Sequence, residues 1–369
     1  MPVRAAGACR PEGGIRAHLS FVGAGTPAPG VDIRAREEPV DDGTAGPARL
    51  RIMVGMDERL AAVARSRGGA FTSRHAGALD VDDAALTRLR RSGDVVRLRR
   101  DAYVLGDLWS SATPEQRLAL RVRCVLATRG DDVASHQSAL ALHGLPLYGV
   151  DLGCVDVLAR VKRVRTRSGL RTHPRAASLQ VVVADGYRCV PVAHAVAQVL
   201  ARSGLVAAMV PLDAALHEER CSLDDVTAVV QAMSPTPRLR DRAEALAARA
   251  DPASESVGET RTRLMLLDQG FEVRSQVDIS DEAGSLVGRV DFLVGGRVVV
   301  EFDGAVKYDG ADGRAALVAE KRREDALRAL GYVVVRLGWA DLERPAQAVA
   351  RIRRALAQSS VLGAGVPAS

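Results

Sequence analysis

Residues 289–310 read RVDFLVGGRVVVEFDGAVKYDG. Asp291, Glu301 and Asp303 stand inside or at the end of two apolar runs joined by Gly295-Gly296. Strand interiors disfavour Asp, and burying an unpaired carboxylate is costly. Strand side chains alternate, so Glu301 and Asp303 share one face while Val300 and Phe302 take the other. A tight Gly-Gly hairpin sets the strands side by side, and Asp291 then approaches Glu301. Carboxylates that close raise each other's pKa, a penalty that a divalent cation removes. Mg²⁺, or Mn²⁺ in its place, is therefore expected on Asp291 and Glu301, with waters and phosphate oxygens completing its shell. Such an ion acidifies a bound water and polarises a phosphoryl group, as phosphodiester hydrolysis requires. The competing reading pairs the same acids with Arg289 or Arg336 in a structural network. Glu259 also has two readings, an acid of the centre or a capping-box partner of Ser256. Asp303-Gly304 can likewise be a strand-ending turn.

The elements that must hold these acids follow from periodicity and stop signals. Ser256 opens a helix that runs to Gln269, and Gly270 stops it. Strands are expected at Phe271–Ile279, Gly288–Val294 and Arg297–Asp303. A helix over Arg314–Leu330, a strand over Tyr332–Leu337 and a last helix over Leu342–Gln358 follow. This order describes a mixed sheet with helices packed on it.

The Asp291, Glu301, Asp303 spacing resembles the core of the PD-(D/E)xK nucleases. The stretch from Ser256 to Leu342, with VDF, VVVEFDG and EKRREDALRALGYVVVRLGWADL, looks more narrowly like the Vsr-like, DUF559-type endonuclease domain. The resemblance covers about residues 254–358 and implies a restriction-endonuclease-like fold. It implies metal ligands at Asp291 and Glu301 and a helix acid at Glu259. Asp303 occupies a position that is lysine in the wider superfamily. Lys307 stands where many Vsr-like members carry a histidine. Either Lys307 or Lys321 could supply charge to the attacking water or leaving group. Arg322 and Arg323 could contact phosphate.

The front of the chain reads as a second function-bearing unit. Helices are expected around Leu60–Ala64, over Arg74–Ala78 and from Asp82 to Arg91, then strands at Val95–Leu98 and Ala102–Leu105. That is a winged helix-turn-helix layout, whose third helix enters the major groove. Thr87, Arg88, Arg90 and Arg91 point away from Leu86 and Leu89 on that helix. Arg97, Arg99 and Arg100 lie on the wing, where arginine grips phosphates. The competing reading is a packing module with a solvated arginine face. From GGAFTSRHAGALDVDDAALTRLRRSGDVVRLRRDAYVL to ASHQSALALHGL the chain is similar to the AbiEi-type antitoxins of type IV toxin–antitoxin systems. The similarity covers about residues 56–220. It implies operator DNA as a partner, a role for Arg88, Arg91 and Arg97 in holding it, and a cognate toxin as a second partner.

Residues 107–250 read as mixed α/β. Helices are expected at Glu115–Thr128 and Val133–His143, strands near Cys154–Leu158, Leu170–His173 and Leu179–Ala184, and four helices after them. The segment RVKRVRTRSGLRTHPR, with Lys162 and Arg163, carries no acid. It reads as an exposed basic loop or a hairpin along a phosphate backbone. His136 and His143, seven residues apart, read as packing or polar-network residues rather than metal ligands.

The class is thus α/β (α+β). It comprises a disordered tail (1–55), a winged helix-turn-helix (56–106), a middle region (107–250) and a nuclease-like domain (251–369). The net charge of +6 is carried by the front and middle, while residues 251–369 sum to −2. Its 48 arginines against three lysines weaken charge as an argument on its own. Hydrophobic content is 47% and mean hydropathy +0.01, the composition of globular material. No apolar run reaches the roughly 18 residues that span a bilayer. Five scattered cysteines without a CxxC pair fit a reducing cytoplasm.

Overall fold

The computed structural model describes residues 56–304 and 311–363. Their elements form a mixed α/β chain with sheets of three, six and four strands among the described residues.

Helix α1 (Glu58–Arg65) starts where Asp57 accepts a hydrogen bond from the Arg59 amide at 2.8 Å. Strand β1 (Ala70–Thr72) escapes sequence reading because three residues carry no period; its partner β3 defines it. Thr72 then caps α2 (Ser73–Gly77). Asp82 accepts from the Ala85 amide at 2.7 Å and caps α3 (Asp83–Ser92), which Gly93 ends at φ 80°. Strands β2 (Val95–Arg99) and β3 (Ala102–Leu105) form an antiparallel hairpin, in sheet order β1-β3-β2. Leu60, Phe71, Leu86, Leu89 and Leu105 fill the core between helices and sheet.

Helices α4 (Gly106–Ser111) and α5 (Pro114–Thr128) lead into the six-stranded sheet. The expected helix over Val133–His143 is corrected. Val133–Ala134 is strand β4, hydrogen-bonded to β5 and β9, and α6 covers only His136–Leu142. Sheet pairing overrides helix propensity there. The sheet continues with β5 (Val155–Ala159), β6 (Arg165–Arg167), β7 (Leu170–Pro174), β8 (Val182–Ala184) and β9 (Tyr187–Cys189), in order β6-β7-β5-β4-β9-β8. Helices α7 (Val192–Ser203), α8 (Leu205–His217), α9 (Leu223–Ala232) and α10 (Pro237–Arg249) follow.

Helix α11 (Val257–Asp268) begins the last section. Its Leu264 packs in the same core as Leu200, Leu212 and Leu246. Arg263 lies 2.6 Å from the Asp213 carboxylate, which also accepts from Thr260 at 2.8 Å and from the Asp251 amide at 2.9 Å. The sheet β10 (Val273–Ser280), β11 (Leu286–Val294), β12 (Val298–Phe302) and β13 (Val333–Leu337) has the last pair parallel, with α12 (Ala311–Ala329) as the crossover. The expected single last helix is two, α13 (Trp339–Glu343) and α14 (Pro345–Gly363). Proline lacks an amide hydrogen, so Pro345 starts a helix rather than continuing one. No helix among the described residues is long and apolar enough to cross a membrane.

Candidate functional site

The acids of the C-terminal sheet converge, but their oxygens are largely engaged. The β11–β12 ladder runs from Val294↔Val298 to Phe292↔Val300. One residue further, Asp291 Oδ2 accepts the Phe302 amide proton at 2.8 Å, so a side chain takes over from the backbone ladder. Burial, before any neighbour, pushes the Asp291 carboxyl up to about 6, and Glu259 and Glu301 add to the rise. Asp291 Oδ1 has no hydrogen-bond partner among the described residues. Glu301 is buried; its Oε1 accepts from Arg323 at 2.7 Å and its Oε2 lies 3.8 Å from Arg336, its register partner on β13. Arg336 is shared with Glu320 and Glu324. Among the described residues Arg289 contributes only its carbonyl to this cluster, which accepts from Arg323 at 2.9 Å.

Ser256 caps the helix, its Oγ accepting from the Glu259 amide and donating to Glu259 Oε1 at 2.8 Å, but the carboxylate does not take the Ser256 amide, so the reciprocal capping box is not closed. Glu259 Oε2 accepts from the Glu255 amide at 3.0 Å and from Gln276 at 2.9 Å. Gln276 occupies a left-handed backbone position, φ 48°, opposite Asp291 on β10. Next to Glu259, a Cβ on Gly258 would meet the Phe302 ring at 1.9 Å, so glycine alone lets α11 approach β12 this closely. A recess of about 600 Å³ opens beside them, with Tyr148, Phe302 and Trp339 in its wall. Asp303 is exposed, and its amide donates to Leu337 O at 2.7 Å. Lys307 lies outside the described residues.

The donor set suits Mg²⁺ in kind, because carboxylate oxygens are what that ion takes. The fit is partial: one Asp291 oxygen is open, whereas Glu301 is held by guanidiniums. A cation there would be held by Asp291 Oδ1 and by Glu301 Oε2, the Glu301 oxygen that Arg323 does not hold. Arg323 is therefore a carboxylate partner here, while Arg322 on the same helix is exposed.

On the N-terminal section Leu86 and Leu89 are buried, and Thr87, Arg88, Arg90 and Arg91 are exposed. Thr87, Arg90, Arg91 and Arg97 line one shallow surface recess, which places the helix and the hairpin on a common face. Arg97 and Arg100 are exposed. Arg99 turns instead toward α5. It is half-buried, its Nε is sealed from solvent without a partner, and burial, then Arg129, lowers its pKa. Lys162 and Arg163 are exposed in the segment that leads to β6.

The sequence reading passed over a third cluster. Among the described residues, His136, Asp156 and His173 alone form a trio of potential ligands whose atoms lie within 4.8 Å of one another. Asp156 is fully buried and accepts from His173 at 2.6 Å, Gln137 at 2.7 Å, Arg202 at 3.2 Å and Arg171 at 3.3 Å. The His136 and His173 rings stack with centroids 4.4 Å apart. Burial, then His173, pushes His136 down to about 4, so its imidazole is neutral at pH 7. Two guanidiniums already neutralise Asp156 and oppose a further cation, so this is a polar core. Its signal was Asp156 inside VDVLA, the same anomaly that exposed Asp291. His143 Nε2 donates to Val190 O at 2.9 Å, as a polar-network residue.

No curated protein matches the chain. Residues 58–106, from α1 to the first residue of α4, match the family described as transcriptional regulator, AbiEi antitoxin.

Proposed function

We propose that the chain is a duplex-DNA-binding regulator whose residues 56–106 form a winged helix-turn-helix. Helix α3 is the recognition helix and the β2–β3 hairpin is the wing. One observation carries this reading: Arg88, Arg90 and Arg91 are exposed on α3 while Leu86 and Leu89 anchor it, with Arg97 alongside. A helix held by one face presents the other to the major groove, and arginine serves both base edges and phosphates. The match over residues 58–106 to an antitoxin regulator family supports the same reading and makes a cognate toxin the expected second partner. The double variant Arg88→Ala/Arg91→Ala is expected to weaken binding to the duplex upstream of the chain's own coding sequence by about 10- to 100-fold at 0.15 M salt. The slope of log K against log salt should fall by about 2. Fluorescence anisotropy over a salt series checks both, and an unchanged affinity would remove the reading.

A second reading, metal-dependent phosphodiester hydrolysis at Asp291 and Glu301, is favoured by the raised pKa of Asp291. Its folded value of about 6 exceeds the ordinary 3.8, so the folded chain holds this proton more tightly than the unfolded chain. Stability is therefore lost as pH rises through that window, and the full penalty stands at pH 7. After allowance for solvent screening the penalty is about 1–2 kcal/mol. Asp291→Asn should thus raise Tm at pH 7.5 and leave it unchanged near pH 4. Under the hydrolytic reading, Mg²⁺ raises the Tm of the natural chain but not of the variant, and DNA cleavage requires the ion and both acids. A Tm indifferent to Mg²⁺ and Mn²⁺ leaves a regulator with a structural C-terminal section.

A further inference from the structure

A recess of about 570 Å³ lies between the β2–β3 hairpin, α5 and the β6–β7 hairpin. Arg99, Arg100, Arg121, Arg129, Arg165 and Arg167 line it, and none of its lining residues is acidic. Leu98, Val155 and Leu170 give it an apolar side. The β6–β7 turn is Ser168-Gly169, with φ 49° and 71°, the two-residue geometry that fixes a hairpin rigidly.

Few of these charges are answered. Arg129 pairs with Asp132 and Arg121 donates to Leu152 O at 2.9 Å. Arg100 has only the exposed Asp101, at 3.6 Å. The side chains of Arg99, Arg165 and Arg167 make no hydrogen bond or ion pair among the described residues, and the Arg99 Nε is cut off from water as well. A concave surface of one sign focuses field on an oppositely charged ligand.

We propose that this recess binds a phosphorylated small molecule of nucleotide size, a nucleoside polyphosphate. Guanidinium forks grip phosphate oxygens in pairs, and the apolar side accepts the nucleoside. The volume is that of a small-ligand pocket. A duplex backbone is convex and meets the rim residues but not the enclosed Arg99. Because Arg99 and Arg100 belong to the β2–β3 hairpin that carries Arg97, the ligand and a duplex compete for one hairpin, and the ligand weakens DNA binding. That consequence rests on the winged-helix reading, whereas the binding itself does not.

The test is calorimetric titration of the full chain with ATP and, separately, with tripolyphosphate, at 0.15 M salt without divalent cation. One-to-one ATP binding is expected, at least about tenfold tighter than tripolyphosphate, with at least about tenfold loss in Arg165→Ala/Arg167→Ala and in Arg99→Gln. Circular dichroism should show both variants folded. ATP should lower duplex affinity for the natural chain but not for the Arg165/Arg167 variant. The Arg88→Ala/Arg91→Ala variant should still bind ATP, which separates failure here from failure of the DNA reading. Absence of ATP binding, or ATP binding indifferent to these variants, would overturn the site. Equal affinity for tripolyphosphate would overturn its nucleoside part. Loss of DNA binding in the Arg165/Arg167 variant without any ATP binding would instead make the recess an extension of the DNA surface.

Discussion

Asp156→Ala is expected to cost about 3–5 kcal/mol of folding stability. Burial acts first to raise this carboxyl, but the hydrogen bond from His173 and the charge of Arg171 hold it below the ordinary carboxylate range. Removing it leaves Arg171 and His173, both only slightly exposed, facing each other with their shared acceptor gone. An unpaired buried charge is more costly than the pair was favourable, which is why truncation costs more than the interaction contributes. Asp156→Asn keeps one acceptor and loses the charge, and should fall between the two. Denaturant unfolding measures both. A loss under about 1 kcal/mol for the alanine variant would show that the cluster is not the polar centre of the middle sheet.

Asp213→Ala is expected to have an effect of the same size, about 3–5 kcal/mol, for a different architectural reason. Asp213 on α8 receives Arg263 and Thr260 of α11 and the amide of Asp251. Burial pushes its carboxyl above the usual range against the pull of Arg263, so the site tolerates the charge only through those donors. Arg263 is itself 4% exposed and would remain in the interior with only the more exposed Asp251, 3.5 Å away, as its acid. The double variant Asp213→Leu/Arg263→Met should recover most of the loss, because an apolar pair of similar volume replaces both charges. If the single and double variants lose the same amount, the effect comes from packing rather than from the ion pair.

The acids of the C-terminal hairpin were legible because three local signals agreed. The period-two pattern, the Gly295-Gly296 turn with φ 55° and 75°, and the acids within apolar runs all name one place. What the sequence withheld is what surrounds Glu301. Arg323 and Arg336 arrive from α12 and β13, and their approach depends on a parallel crossover that no local pattern encodes. The helices of residues 73–92 were legible through Thr72, Asp82 and Gly93, each of which caps or ends a helix by chemistry readable at its own position, whereas the Asp57 cap of α1 was not read. Strands β1, β6 and β9 have three residues each and exist through their partners, so no period marks them. Arg99 shows the same limit at one residue. It alternates with Leu98 and Arg100 on a hairpin edge, yet α5 covers it.

The central claim is that α3 and the hairpin beside it are the surface that meets DNA. Hydrogen–deuterium exchange of the full chain, with and without the upstream duplex, tests it most directly. The account predicts slower exchange over residues 82–100 on adding DNA and no change over residues 223–249. Unchanged exchange over 82–100, with protection arising elsewhere, would contradict it.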